Sequence, residues 1–200
     1  MGAAVAISVA MFISFLAILG HNIAAMGRVD VGITAYAQAE PPPGKQFVLQ
    51  GPDPRYPGGD PSWPAYARIL TKAFEAKGLV PVTSSPDLII RVTYRVGDTQ
   101  TSVSTTTTPT KEGNTDSTTV STTNLRTIRI EAVDAASSAA GKPTVVWSIH
   151  AQTRGPGDDL AKVFPVMVAA MEGYVGTTAE QEVKVSKYYS DPEVARLTQP

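Results

Sequence analysis

The chain has 200 residues, with 17 Lys and Arg against 18 Asp and Glu, two His, no Cys and a net charge of −1. That balance lacks the basic footprint of a nucleic-acid binder and offers no polybasic run to anionic lipid. Without cysteine there are no disulfides, no thiol catalysis, no thiolate metal sites, no iron–sulfur cluster and no lipid-modified cysteine of a bacterial lipoprotein.

The first element is a run of seventeen uncharged residues, Ala3–Leu19, in which only Ser8 and Ser14 are polar. A helix needs about 20 apolar residues to span a bilayer, and the apolar part of a signal peptide about 7 to 15. The run lies between the two, and continuing it to Met26 gives an imperfect span. It predicts export. Ala35 and Ala37 fit signal-peptidase cleavage before Gln38, and Ala37 and Ala39 fit cleavage before Glu40. No Lys or Arg precedes Arg28, so the positive start of an ordinary signal is missing. The alternative is a retained anchor over residues 3–26. Residues 1–39 are therefore expected to be a signal peptide or an N-terminal membrane anchor. Removing them leaves 161 residues, enough for one domain with its own core. Export without disulfides fits a bacterial periplasm.

Residues 40–64 form a Pro- and Gly-rich lead-in containing a short strand, Gln46–Leu49, between Gly44 and Gly51. The domain proper is expected over 65–186. Asp60 or Ser62 is placed to cap a helix, in which Tyr66, Ile69, Leu70, Ala73 and Phe74 make one apolar stripe and Gly78 ends the helix. Leu79–Val82 reads as a short strand. After the Pro86–Asp87 turn, Leu88, Ile90, Val92, Tyr94 and Val96 alternate with Ile89, Arg91, Thr93 and Arg95, the period of a half-buried strand.

Residues 99–124 are the compositional outlier, with twelve Thr and four Ser in 26 residues. Thr is β-branched and favours strands, so the segment reads as a long hairpin turning at 111–114 and projecting past the core. A low-complexity loop is the alternative. Leu125–Val133 and Val145–Gln152 return to strand alternation, with a small-residue turn over Asp134–Pro143. Asp158 and Asp159 start a second helix whose stripe is Leu160, Val163, Phe164, Met167, Met171 and Tyr174. Pro165 inside it predicts a kink or a restart. Glu182–Val185 is expected as a last short strand, and Asp191–Leu197 as a helical turn in the tail 187–200. The order predicts an α+β fold, with two amphipathic helices on one face of a mainly antiparallel sheet and a long Thr-rich hairpin.

Lys77-Gly78-Leu79 closes the first helix, and Ser85-Pro86-Asp87-Leu88-Ile89-Ile90 leads a strand. Val145-Val146-Trp147-Ser148 lies in the later strand and Val163-Phe164-Pro165 in the second helix. On these residues Gln46–Val185 resembles the DUF4136 family, a domain of unknown function in exported bacterial envelope proteins, many of them lipoproteins. The resemblance implies an α+β envelope domain with no established activity and no catalytic residues to carry over. The chain departs from the lipoprotein members in having no Cys.

The inventory for catalysis is thin. His21 lies in the leader, and His150 is a mid-strand residue better read as structural than catalytic. Asp158 and Asp159 read as helix-start residues, and Asp53, Asp60 and Asp87 each neighbour Pro, which is turn grammar. No phosphate loop, dinucleotide fingerprint or nucleophile elbow is present. No catalytic residue, metal or cofactor is expected. Arg91 and Arg95 share an outward strand face that Arg129 and Glu131 extend on the partner strand. These four read as cross-strand charge pairing or as a contact surface for an envelope partner. Tyr188, Tyr189, Trp63 and Tyr56 read as contact points or as pins for the termini.

The functional expectation is an exported cell-envelope domain with a non-catalytic binding or scaffolding role. Its partner would be an unidentified envelope protein or membrane component and no nucleic acid, with membrane contact through residues 3–26 if they are retained. One rival is a periplasmic small-ligand carrier or hydrolase, with a pocket between helix and sheet near His150, Arg91 or Asp87. The other is a bitopic membrane protein.

Overall fold

The computed structural model describes residues 27–39, 42, 44–52, 60–110 and 113–199. The expectations placed on residues 3–26, on Asp53 and on Tyr56 lie outside them. No helix among the described residues is long and apolar enough to cross a membrane. In chain order the elements are β1 (Arg28–Ala37), β2 (Gln46–Gln50), α1 (Trp63–Ala76), β3 (Val80–Pro81), β4 (Leu88–Thr110) and β5 (Gly113–Asp134). They continue with α2 (Ala135–Ala139), β6 (Val145–Gly155), α3 (Leu160–Met171), β7 (Ala179–Tyr188) and α4 (Pro192–Thr198).

The seven strands form one sheet in the order β3-β2-β4-β5-β6-β1-β7. β2 runs parallel to both β3 and β4, whereas the remaining pairs are antiparallel. The sheet is therefore mixed, which corrects the expectation of a mainly antiparallel one. Four α-helices, not two, accompany it among the described residues. The physical reason lies in α1. It separates β2 from the next strands, and a strand–helix–strand crossover returns the chain in the same direction, so its strands pair in parallel. Asp87 holds the parallel pair together at its start. One carboxylate oxygen accepts the backbone N–H groups of Lys45 and Gln46, each at 2.9 Å. Those two bonds, Gln46 first, hold its carboxyl below the usual aspartate range.

Local signals define α1. Asp60 accepts the Ser62 N–H at 2.8 Å, and Pro64 occupies the first turn, where no backbone donor is missed. Ser62 takes the cap position without a side-chain bond. At the far end Gly78 has φ +81°. There the N–H of Gly78 bonds to the Glu75 carbonyl at 2.9 Å and that of Leu79 to the Phe74 carbonyl at 3.1 Å, a Schellman stop. In α3, Asp159 accepts the Lys162 N–H at 3.1 Å. The helix then runs through Pro165 to Met171 without a restart. Phe164 and Val166 on either side of the proline are fully buried, and that burial outweighs the roughly 3 kcal/mol proline cost.

The pleat sorts the sheet into two faces. Val31 and Ile33 of β1, Ile90 and Val92 of β4, Ile128 and Ile130 of β5, and Trp147 and Ile149 of β6 are buried on one side. Leu70 and Phe74 of α1, Phe164 and Met167 of α3, and Leu197 of α4 pack against that side. Phe74 meets Phe47 and Trp147 edge-on, at 5.5 and 5.9 Å between ring centroids. Tyr66 stacks on Phe164 at 3.9 Å. The interface between helices and sheet is filled by these side chains.

The segment Arg28–Ala37, read from sequence as the end of the leader, is an interior strand between β6 and β7. Val29, Val31, Ile33 and Ala35 alternate inward. Cleavage before Gln38 or Glu40 would remove the whole of β1, so a cleavage site compatible with this sheet lies before Arg28. A chain starting at Gln38 is expected to lack a cooperative thermal transition by circular dichroism, whereas one starting at Gly27 keeps it. Ile33→Ala, at a fully buried site, is expected to lose about 2 to 5 kcal/mol in urea unfolding.

Candidate functional site

Because the helices gather on one side, the alternate residues of the sheet form a polar face that they leave uncovered. Strand register lays these residues out in rows. One row is Gln50, Arg91, Glu131, Ser148 and Tyr36. The next is Thr93, Arg129, His150 and Thr34, and the third is Arg95, Thr127, Gln152 and Gly32. Their centre is an open groove of about 620 Å³, whose lining combines Thr34, Tyr36, Thr93, Arg95, Thr127, Arg129, Ser148, His150 and Gln152 with the more apolar Ala35, Tyr94, Leu125 and Ile149.

The four residues picked out in the sequence share this face. Arg91 stands opposite Glu131 and donates from Nε to Gln50 Oε1 at 3.2 Å. Arg129 is bound along its own strand to Glu131, its Nη2 lying 2.6 Å from Oε1. Arg95 lies 3.9 Å from Asp98 and is 72% exposed. Arg95 and Arg129 line the groove, and Arg91 and Glu131 stand at its end. His150 lies in the groove beside Arg129 and Thr34. Asp87 lies elsewhere, at a smaller dent of about 260 Å³ near Asp134. Thr34 and Tyr36 fall inside the segment that the sequence reads as leader. The strict alternation of Val29, Val31, Ile33 and Ala35 was the signal that identifies them.

The second exposed surface is the outer hairpin. β4 and β5 stay paired from Leu88 opposite Asp134 to Thr110 opposite Gly113, with one irregularity between Gly97 and Gln100. Asp98 takes φ +49° at that point. Beyond it the described side chains of the arm lie outside the core and mostly exposed, including Val103 at 66% and its cross-strand partner Val120 at 63%. The arm is fixed at its root. Asn124 Nδ2 donates to the Gly157 carbonyl at 2.9 Å. The buried Arg126 donates from Nη2 to the carbonyls of Pro156 and Gly157, both at 2.6 Å. Arg154 donates to the Asp98 carbonyl at 2.8 Å.

One titrating pair sits where β4 leaves the core. Tyr94 donates its hydroxyl to Asp60 and packs against Trp63, Tyr66 and Phe164. The hydrogen bond from Tyr94, followed by the Ser62 N–H, holds the Asp60 carboxyl below its usual range. Burial, and then the bond to Asp60, pushes the Tyr94 phenol well above its ordinary value.

No family model matches the chain, and neither does any curated protein. Among solved structures the chain is similar to a PDZ domain protein from Parabacteroides distasonis. The TM-score is 0.45, with 13% identity over 80% of this chain and 39% of that one. It is also similar to a PelC dodecamer from Paraburkholderia phytofirmans, with a TM-score of 0.39 and 11% identity over 76% of this chain and 99% of that one. The chain thus spans well under half of the first of these proteins. Likeness at these scores carries no argument about function.

Tyr94→Phe removes the donor to Asp60 and is expected to cost about 1 kcal/mol near neutral pH. Asp60 has a lowered folded pKa. Its contribution is therefore present above the ordinary aspartate pKa and is lost as pH falls through the lower folded value. Urea melts of the two proteins should differ at pH 7 and approach one another as the pH falls; a gap independent of pH would exclude this linkage.

Proposed function

We propose that this protein is an exported domain of the bacterial cell envelope that works by binding or scaffolding, without catalysing a reaction. The uncharged run Ala3–Leu19 supports export. The observation that carries the binding role is the uncovered polar face of the sheet, which continues at one end into a rooted, exposed arm. The groove is open, and its hydroxyl, amide, imidazole and guanidinium groups stand beside Tyr94, Leu125 and Ile149, so it offers hydrogen bonds without enclosing a small molecule. It suits contact with another polar surface better than the capture of an apolar small molecule. The helix–sheet interface, where a carrier or hydrolase pocket was the alternative, is occupied by Trp147, Phe74, Phe164 and Met167.

Two measurements test this reading. N-terminal sequencing of the protein from its native membranes or periplasm is expected to give either Met1 in a membrane fraction or a new terminus upstream of Arg28. Recovery from the cytosol with Met1 attached and no membrane contact would overturn export. Deleting Gln100–Thr123 is expected to remove envelope components that copurify with the intact chain. An unchanged set would remove the arm from the binding surface. The double substitution Arg95→Glu, Arg129→Glu asks the same question of the groove.

A further inference from the structure

The sheet's outer edges are protected against pairing with another chain, whereas a long edge of the arm is not. At one end β3 is two residues long and contains Pro81, which has no N–H to offer. At the other, β7 carries Glu180, Glu182, Lys184 and Lys187. Short edge strands, proline and charge are the usual defences of an exposed edge. In β4, by contrast, Thr99–Thr108 holds neither a charge nor a proline, and among the described residues β2 accompanies β4 as far as Arg91. The companion strand of the arm carries Asp116, which accepts from Thr107 at 2.6 Å. The corresponding uncharged run of β5, Ser117–Asn124, is shorter and ends against β6 at Asn124, so the longer undefended edge is on the β4 side. A lone two-stranded ribbon is at best marginally stable in water, and stability grows with further strands.

We propose that this edge pairs antiparallel with the same edge of a second copy of the chain, across a two-fold axis at Val103. The inference rests on the proposed scaffolding role of the arm and names its partner. This register is the one that brings the exposed valines of the two copies together. With Val103 opposite itself, Ser102 faces Ser104, Thr101 faces Thr105 and Gln100 faces Thr106, and no like charges meet. A two-fold contact requires this kind of self-complementarity. Val103 and Val120 are opposite one another within each arm, so the pairing sets four exposed valines in one row across a four-stranded ribbon. On either side, the Thr101–Thr122 and Thr105–Thr118 hydroxyl contacts, at 3.5 and 3.3 Å, come into line. Cross-strand Thr pairs of this kind stabilise sheets. Pro109, lacking an N–H, limits the pairing toward the tip.

The chain contains no cysteine, so single cysteines report directly. In the full chain, oxidised in native membranes or mild detergent, Val103→Cys is expected to give a disulfide-linked dimer on a non-reducing gel. Val120→Cys should stay monomeric, because its two copies lie about 14 Å apart across three strand spacings and a disulfide needs Cα atoms within about 7 Å. Val103→Lys places two ammonium groups on the axis. It is expected to weaken self-association at least tenfold in sedimentation, with an unchanged melting temperature showing that the domain is folded. Equal cross-linking by the two cysteine variants, or identical sedimentation of Val103→Lys and the parent, would overturn the proposal. An association driven by the N-terminal apolar run would not respond to Val103→Lys. If the deletion of Gln100–Thr123 removes copurifying envelope components while Val103→Cys gives no dimer, the binding role stands and self-pairing falls.

Discussion

The insertion of β1 between β6 and β7 is the contact on which the rest of the molecule depends. Its inward residues, Val29, Val31, Ile33 and Ala35, floor the part of the core that α3 covers. Its outward residues, Thr34 and Tyr36, form one wall of the groove. Among the described residues β7 is paired only with β1, so without β1 it has no place in the sheet. Gly32 leaves room for a side-chain contact across the strand. A side chain there would collide with the Glu182 carboxylate, which reaches over the strand to accept a hydrogen bond from Gln152 at 3.3 Å. The missing side chain lets β6 and β7 interact across β1.

Much of the sheet was legible because period-two alternation survives wherever one face is buried and the other is wet. Leu88–Val96, Leu125–Val133 and Val145–Gln152 carry it openly. β1 carries it equally well, but it follows an apolar run whose flanking alanines also satisfy a peptidase, and that local pattern competed with the strand. Parallel pairing was hidden for a different reason. Leu79–Val82 is too short to announce its direction, and only the crossover through α1 fixes it. The course of α3 through Pro165 was not legible either, since burial on nearly every side decides it. The groove was half visible. Arg91, Arg95, Arg129 and Glu131 stand out as charges on strands, whereas Thr34, Ser148 and Gln152 have no chemical distinction until the register aligns them.

The charges on the open face are held loosely. Arg129 is tied to Glu131 but remains 63% exposed, and Arg95 only approaches Asp98. Exposed pairs of this kind contribute about 0 to 1 kcal/mol. Exchanging such an intramolecular partner for an intermolecular one therefore costs little, and the guanidinium groups are free to turn toward an incoming surface. The hydrogen bonds that build the fold are of another kind. Asp87 on the β2 backbone and Arg126 on the Pro156–Gly157 turn join segments distant in sequence. Moving either would disturb strand order or the root of the arm.

The same division separates the arm from the domain. Its paired residues bury no core side chain, so its order comes from cross-strand hydrogen bonds and Thr contacts alone, and little of the free energy of the domain passes through it. Regions with few buried contacts open at low cost, independently of the core. An element of that kind changes partners without unfolding what it is attached to. The clamp of Asn124, Arg126 and Arg154 keeps its direction fixed while its edge stays available. The chain thus carries a stable layer of helices and sheet, and a projecting ribbon whose order rests on its own cross-strand contacts.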